Sequence, residues 1–282
     1  MSNSSVNSAL PAVALAAEIV EREAWLDLFD AAPQAARAAF GLSSSRIGGM
    51  GLLASRGIPI TEFNRAMGVD TQGPLPHRDL LAATDWLDSH AAQGWAFQVA
   101  PASHPASNLQ TIEPMGFGPS GSGWAKFVKW VAGPTPARLP AGVDIRIADA
   151  ATAASFGGTV QAGFGVAPEC AEWFAALVGR PGWCCFLATI DGEPAAAAAM
   201  FIRDGAAWSG MSTTLPDYRG RGLQSALIDA RLNEAAARGV TWVTSETGQP
   251  SVEDEPGFSS YRNQKRGGFE RAYIRLNLKR TD

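Results

Sequence analysis

Between Thr213 and Gly239 the chain reads TTLPDYRGRGLQSALIDARLNEAAARG, and its Arg219-Gly220-Arg221-Gly222 run stands where a helix begins. Glycine is a poor helix former and a helix N-terminus already carries positive partial charge, so folding alone gives no reason for two glycines and two arginines there. Binding an anion does. Glycines let an anion approach the backbone, and the unsatisfied N–H groups of the first turn point at it. A second chemically suggestive group is Glu246, which shares one face of a strand with Val240, Trp242 and Thr244. At a strand end it is either a solvated surface carboxylate or, if desolvated, a base with a raised pKa. In the first half, Phe63-Asn64-Arg65 puts polar groups into a run otherwise suited to a core, so Asn64 and Arg65 read as substrate-binding residues lining a cleft or as strand-edge residues.

These groups need a frame. The helix from Gly222 to Arg238 carries the stripe Leu223, Ala226, Leu227, Ala230, which faces a sheet, and Gly239 stops it. Before it, apolar runs at 183–190, 194–203 and 206–214 are separated by Asp191-Gly192 and Asp204-Gly205, both hairpin signals. A strand at 144–147, helices at 150–164 and 168–178, a strand at 240–246, a short helix at 258–266 and a strand at 271–278 complete the order β-α-α-β-β-β-α-β-α-β. The first half repeats part of it, with a strand at 58–69, a helix at 77–93 stopped by Gly94, a strand at 95–100 and a short helix from about Asn108. His77 to Gly94 has the spacing of Gly222 to Gly239, which suggests an internal duplication. The first copy lacks the glycine turn, and the prolines of Gly73-Pro74-Leu75-Pro76 remove donors that an anion would need.

The most evident break is AGPTPARLPAGV at 132–143, a Pro/Gly-rich linker that divides the chain into domains at 1–131 and 144–282. With 23 basic and 27 acidic side chains and a formal net charge of -4, nothing points to nucleic acid or a membrane surface, and a small-molecule partner is expected. Cys170, Cys184 and Cys185 have neither CxxC spacing nor a histidine at ligand distance, so they read as reduced, buried thiols, and His77, His90 and His104 suggest no metal site. The apolar stretch at 9–17 lacks a basic flank and runs into Glu18, Glu21 and Glu23, so it reads as part of a helix ending near Leu26. No stretch approaches the roughly 20 apolar residues of a membrane span, and a cytoplasmic location is expected.

The second half resembles the GCN5-related N-acetyltransferase (GNAT) superfamily, whose hallmark (R/Q)xxGx(G/A) turn cradles the pyrophosphate of acetyl-CoA. Arg219, Gly222 and Gln224 occupy its three positions, within the wider Pro-x-Tyr-Arg-Gly-x-Gly context, and Arg266-Gly267-Gly268-Phe269 resembles the last helix–strand junction. Gln224 stands where a small residue is usual. The resemblance implies an α/β fold of two GNAT-like lobes, each a mixed, largely antiparallel sheet flanked by helices, the N-terminal one a degenerate copy that has lost the turn. It implies acetyl-CoA as acyl donor, held by Ser212, Thr213, Thr214, Arg219, Gly220, Arg221, Gly222, Leu223, Gln224 and Asn263. It also implies direct transfer to an amine of a small-molecule or peptide acceptor, with Glu246 as base, because an amine of pKa about 10 attacks only after losing a proton.

The family often protonates the departing thiolate from a tyrosine four residues before the Gly-Phe, where this chain has Gln264. Tyr261, three residues earlier on the same helix, then serves as the acid or packs over the sheet, with water as the other proton source. Two other readings stand beside this one. A catalytically silent acyl-CoA sensor is favoured by Gln264 and Gln224. A dinucleotide-binding protein is suggested by Gly220-Arg221-Gly222 with Glu246 as ribose acid, but its third small position is Ser225 and the Asp-Gly hairpins are antiparallel where that fold needs parallel strands.

Overall fold

The computed structural model of the protein describes residues 3–69, 71, 73–100, 110–134 and 139–281. His104, the start of the helix expected from Asn108 and the middle of the linker at 135–138 lie outside the described residues. The first helix, α1 (Asn3–Asp30), runs past Leu26, and α2 (Gln34–Phe40), β1 (Leu42–Ile47) and β2 (Met50–Ser55) follow it. The strand expected over 58–69 shrinks to β3 (Arg65–Met67), preceded by a 3-10 turn at Thr61–Phe63. The cause is the Asn64 side chain, which takes over the hydrogen bonds that a strand ladder would have made. Its Nδ2 donates to the carbonyls of Ile58 and Ile60 at 2.8 and 3.0 Å, and its Oδ1 accepts from the N–H groups of Ser55 and Ala92 at 2.9 Å each. After α3 (His77–His90) come β4 (Ala96–Val99), β5 (Phe117–Pro119) and β6 (Trp124–Trp130).

The second half follows the expected order closely: β7 (Val143–Ile147), α4 (Ala153–Phe164), α5 (Cys170–Ala175), β8 (Trp183–Ile190), β9 (Glu193–Arg203), β10 (Ala206–Thr214), α6 (Leu223–Ala237), β11 (Trp242–Gly248), α7 (Ser259–Arg266) and β12 (Glu270–Arg280). Both Asp-Gly turns have two left-handed residues, with φ of 52° and 86° at Asp191-Gly192 and 51° and 74° at Asp204-Gly205, the twist that keeps hairpin strands paired. The alanines of β9 are covered on both faces. Ala197 and Ala199 lie in a core with α1, α4 and α5, and Ala196 and Ala198 in a second core with α6. Their small side chains let helices approach the sheet from both sides. The three cysteines are free and buried, and burial raises the Cys170 thiol to about 11.

Among the described residues twelve strands form one mixed, mostly antiparallel sheet, in the order β1-β2-β3-β4-β12-β6-β11-β10-β9-β8-β7 with β5 beside β12. The sheet therefore runs across the domain division expected at the linker. Strand β6, from the first half, pairs along its whole length with β11 of the second, and β12 pairs with β6 over Glu270–Arg275 and with β4 over Leu276–Leu278. The halves therefore exchange strands, and α1 belongs to a core that continues from Phe63 and Met67 to Trp208 and Trp242. Each half keeps one parallel pair, β3 with β4 and β10 with β11, joined by a helix. No helix among the described residues is long and apolar enough to cross a membrane.

The exchange has a testable consequence. A fragment spanning 141–282 lacks both α1 and β6, leaving β11 and β12 with facing unpaired edges and the first core open. It should show neither a cooperative thermal transition nor a native circular-dichroism spectrum, and a fragment that melts like the full chain would contradict the exchange.

Candidate active site

The site begins with a break in the sheet. Strands β10 and β11 pair in parallel only over Ala206–Trp208 and Trp242–Thr244. Beyond that, the register of β10 shifts between Gly210 and Thr213, with Met211 in a left-handed conformation at φ 49°, unusual for a residue with a side chain. Gly210 is required here, because a Cβ would stand 2.1 Å from the Trp208 ring folded over it. The strands separate, and a cavity of about 1170 Å³ fills the gap, lined by Ser209–Thr214 on one side and Glu246–Gly248 on the other. It reaches both cores: Trp25, Phe63 and Trp208 of the first, Leu223 and Ile228 of the second.

On the α6 face the cavity meets the glycine turn. Gly220 and Gly222 are left-handed, with φ of 76° and 81°, and α6 starts at Leu223 with no side-chain cap. The first-turn donors therefore face open space beside Arg219, Gly220, Gly222 and Ser225, with Arg266 of α7 opposite. Gln224 lines the cavity with its amide turned back on β10, where Oε1 accepts from Ser212 Oγ and Nε2 donates to Thr214 Oγ1, both at 2.8 Å. Its bulk is thus drawn away from the turn. Two turns further along α6 lies Arg231, buried, its Nε donating to the Leu227 carbonyl at 3.1 Å and an Nη to Ser212 Oγ at 3.3 Å. Among the described residues no carboxylate pairs with it, and desolvation lowers its pKa to about 10.

The opposite face holds Glu246. It stands across from Lys126 in the β6–β11 ladder, and its carboxylate meets Lys126 at 3.7 Å, Arg65 at 3.6 Å and Arg275 in closer contact. Behind it Glu21 of α1 pairs with Lys126 and, at 3.0 Å, with Arg275, while Glu18 takes the other side of Arg275 at 3.2 Å and accepts from the Tyr273 hydroxyl. Two carboxylates and three cations are thus buried together, with Glu246 at their edge. Glu246 alone of these six lines the cavity, its side chain 14% exposed. Burial pushes its pKa up, Arg275 opposes, the Glu21 charge adds to the rise, and the value reaches about 7. Desolvation would also raise Glu21, but Arg275, then Lys126, and a hydrogen bond from Glu246 hold it well below the usual carboxylate range.

An anion-ready helix start and a carboxylate of raised pKa therefore face one another across a split sheet. Residues 161–253, which include both, match the model of the acetyltransferase (GNAT) family. That segment is a GNAT-family domain. The whole architecture is similar to that of a GCN5-related N-acetyltransferase from Kribbella flavida, with a TM-score of 0.62, 15% identity and 96% of each chain covered. An N-acetyltransferase of the same kind from Sphaerobacter thermophilus gives a TM-score of 0.56 at 20% identity, covering 72% of this chain and 66% of that one. A tandem GNAT protein from the clavulanic acid biosynthesis pathway gives 0.51 at 17%, covering 72% and 68%. At such identities the likeness is one of fold. No curated protein matches the chain in sequence. The largely antiparallel sheet sets aside the dinucleotide-binding alternative.

Of the residues expected at the GNAT site, Ser212, Thr213, Thr214, Arg219, Gly220, Gly222, Leu223, Gln224, Glu246 and Asn263 line this one cavity. Arg221 does not, its guanidinium lying 5.4 Å from the Tyr218 ring centre. Tyr261 is a correction. Helix α7 turns Ser260, Asn263 and Gln264 to the cavity and Tyr261 into the second core, its ring edge-on to Phe127 at 5.1 Å. Asn64 is not a cleft residue either, since its amide is spent on the loop before β3. Arg65 is buried behind the wall, 4.4 Å from the Trp25 ring centre and 4.9 Å from that of Trp124, with Gln98 accepting at 2.9 Å. Glu21, Lys126, Arg231 and Arg275 were not anticipated. Glu21 and Arg231 each carry a signal, a charge on an apolar helix stripe: Ala17-Glu21-Leu28 in α1 and Leu223-Leu227-Arg231 in α6.

Removing one member of such a cluster strands the others. Glu21→Gln should lower unfolding free energy by about 3–5 kcal/mol, because Lys126 and Arg275 stay buried with their main counter-charge gone. Urea titration at pH 7 checks this, and a loss under 1 kcal/mol would show that the cluster is not held by Glu21.

Proposed function

We propose that the protein transfers an acetyl group from acetyl-CoA to an amine, by direct attack and without a covalent enzyme intermediate. The observation that carries this reading is the cavity through the split between β10 and β11, with uncapped helix donors on one face and Glu246 on the other. The family and fold support acyl transfer as the class of reaction. In this reading the pyrophosphate rests on the N–H groups of Gly220, Gly222, Leu223 and Gln224 beside Arg219, where the helix dipole and charge-assisted hydrogen bonds favour it. Arg231, a cation with no counter-ion among the described residues, adds positive potential to the same side.

The pantetheine arm follows β10 and meets Asn263. Backbone N–H groups of the bulged stretch at Ser212–Thr214 face the thioester oxygen, donors that strengthen as that oxygen gains charge. The amine enters from the first-core face and passes its proton to Glu246. Its nitrogen then forms a bond to the carbonyl carbon as the C–S bond breaks, and the second proton lost from that nitrogen passes through water to the departing thiolate, since Tyr261 is buried away from the cavity. We place this work in the cytoplasm, where three free thiols are stable. The silent-sensor reading takes its support from the same burial of Tyr261.

Two experiments test the proposal. Gly222→Asp puts a carboxylate at the turn at φ 81°, a left-handed conformation strained for a residue with a side chain but visited by Asp more readily than by most, with only Pro140 near the new Cβ at 3.4 Å, so the fold should persist while CoA affinity falls at least tenfold by calorimetry. Unchanged affinity in a folded variant would remove the turn as the phosphate site. Glu246→Gln should slow thiol release by about 10²–10⁴-fold with CoA binding retained. Because the base acts deprotonated, the wild-type rate should rise with pH through about 7, and the variant should lose that inflection. Thiol release in neither form would favour the sensor.

A further inference from the structure

Five cationic side chains are buried among the described residues, and four of them meet a glutamate: Arg22 pairs with Glu23, Lys126 with Glu21, and Arg65 and Arg275 with Glu21 and Glu246. Arg231 is the exception. It is 2% exposed, and among the described residues its guanidinium meets only neutral acceptors, the Leu227 carbonyl through Nε and Ser212 Oγ through one Nη. A guanidinium taken out of water without a counter-charge is costly to keep. Desolvation lowers its pKa only to about 10, so the charge is present at pH 7. The spacing Leu223-Leu227-Arg231 directs it from α6 at the sheet, where it lines the cavity.

Its position indicates what would pair with it. Arg231 stands eight residues into α6 from Leu223, about 12 Å along the axis at 1.5 Å per residue, which is too far for direct contact with an anion on the first turn. It is, however, one hydrogen bond from Ser212, which opens the stretch whose backbone N–H groups face the thioester oxygen in the reading above. The charge therefore lies at the acyl end of the donor. Glu246, on the opposite face, already has Arg65, Lys126 and Arg275 as partners, so Arg231 is not its counter-ion. A carboxylate is the anion whose two oxygens match the guanidinium fork. We infer that the site is built for an acyl group larger than acetyl that ends in a carboxylate, as in succinyl-CoA or malonyl-CoA, with Arg231 as its counter-ion. This rests on the transfer reading above and extends only what the thioester carries. The amine nitrogen bonds to the thioester carbon, the C–S bond breaks, the protons move as before, and the distal carboxylate is unaltered.

Succinyl-CoA and butyryl-CoA have acyl chains of equal length and differ in a carboxylate against a methyl group, so the ratio of their affinities isolates the charge. By calorimetry at pH 7 the full chain should bind succinyl-CoA at least about tenfold tighter than butyryl-CoA. Arg231→Met keeps much of the reach of the side chain and should bring that ratio close to one, whereas Arg231→Lys should retain part of it. A ratio is indifferent to any general loss of CoA affinity in the variants. Circular dichroism checks their folding, and the wild-type ratio decides alone if they do not fold. Equal affinities in the wild type, or a preference that survives Arg231→Met, would overturn the inference and leave the transfer reading standing. Binding of neither acyl-CoA would bring down that reading and the inference with it.

Discussion

Five charged side chains, Glu18, Glu21, Arg65, Lys126 and Arg275, are buried together where the two half-sheets cross, with Glu246 at their edge. Desolvating isolated ions costs several kcal/mol each, so this arrangement stands only if every member keeps its partners. With Glu246 they come from α1, β3, β6, β11 and β12. The partners are supplied by the strand exchange: without β6 between β11 and β12, Lys126 and Arg275 would not reach Glu246 from neighbouring strands. The charge cluster and the topology therefore depend on each other. The balance is uneven inside the cluster, and that unevenness is useful. Glu21 absorbs most of the positive charge and stays ionised, while Glu246, at the edge of the cavity, is left with a raised pKa suited to exchanging a proton near neutrality.

The second constraint is the separation of β10 from β11. A parallel pair would normally continue, but the left-handed Met211 and the Trp208 ring folded over Gly210 end it after three residues. A sheet covered by helices on both faces is normally impermeable. Opening it between two strands joins the faces, so a ligand on the α6 side and one on the α1 side can meet at the bulge. The two sides differ in chemistry, with cations and uncapped donors on one and rings and carboxylates on the other. In the acetyl-transfer reading proposed above, such a division would let donor and acceptor approach from opposite directions with little competition for each other's subsite.

What the sequence determined by itself is local. The Asp-Gly turns, the glycine start and stop of α6 and the alternation of β8 to β10 depend on backbone conformation and on which neighbours share a face, both written into a few adjacent residues. The glycine turn and Glu246 were legible for the same reason, each being an oddity against its own element. Asn64 misled, because an amide in an apolar run reads alike whether it binds a ligand or its own loop. The tertiary structure decided the rest: that β6 leaves its own half, that the linker is not a spatial boundary, that Tyr261 turns inward and that Lys126 and Arg275 flank Glu246. Strand partners and ion partners come from segments more than a hundred residues apart, as Lys126 does for Glu21. Which of them meet depends on the free energy of the assembled sheet and its shared core, a quantity that no local window of sequence contains.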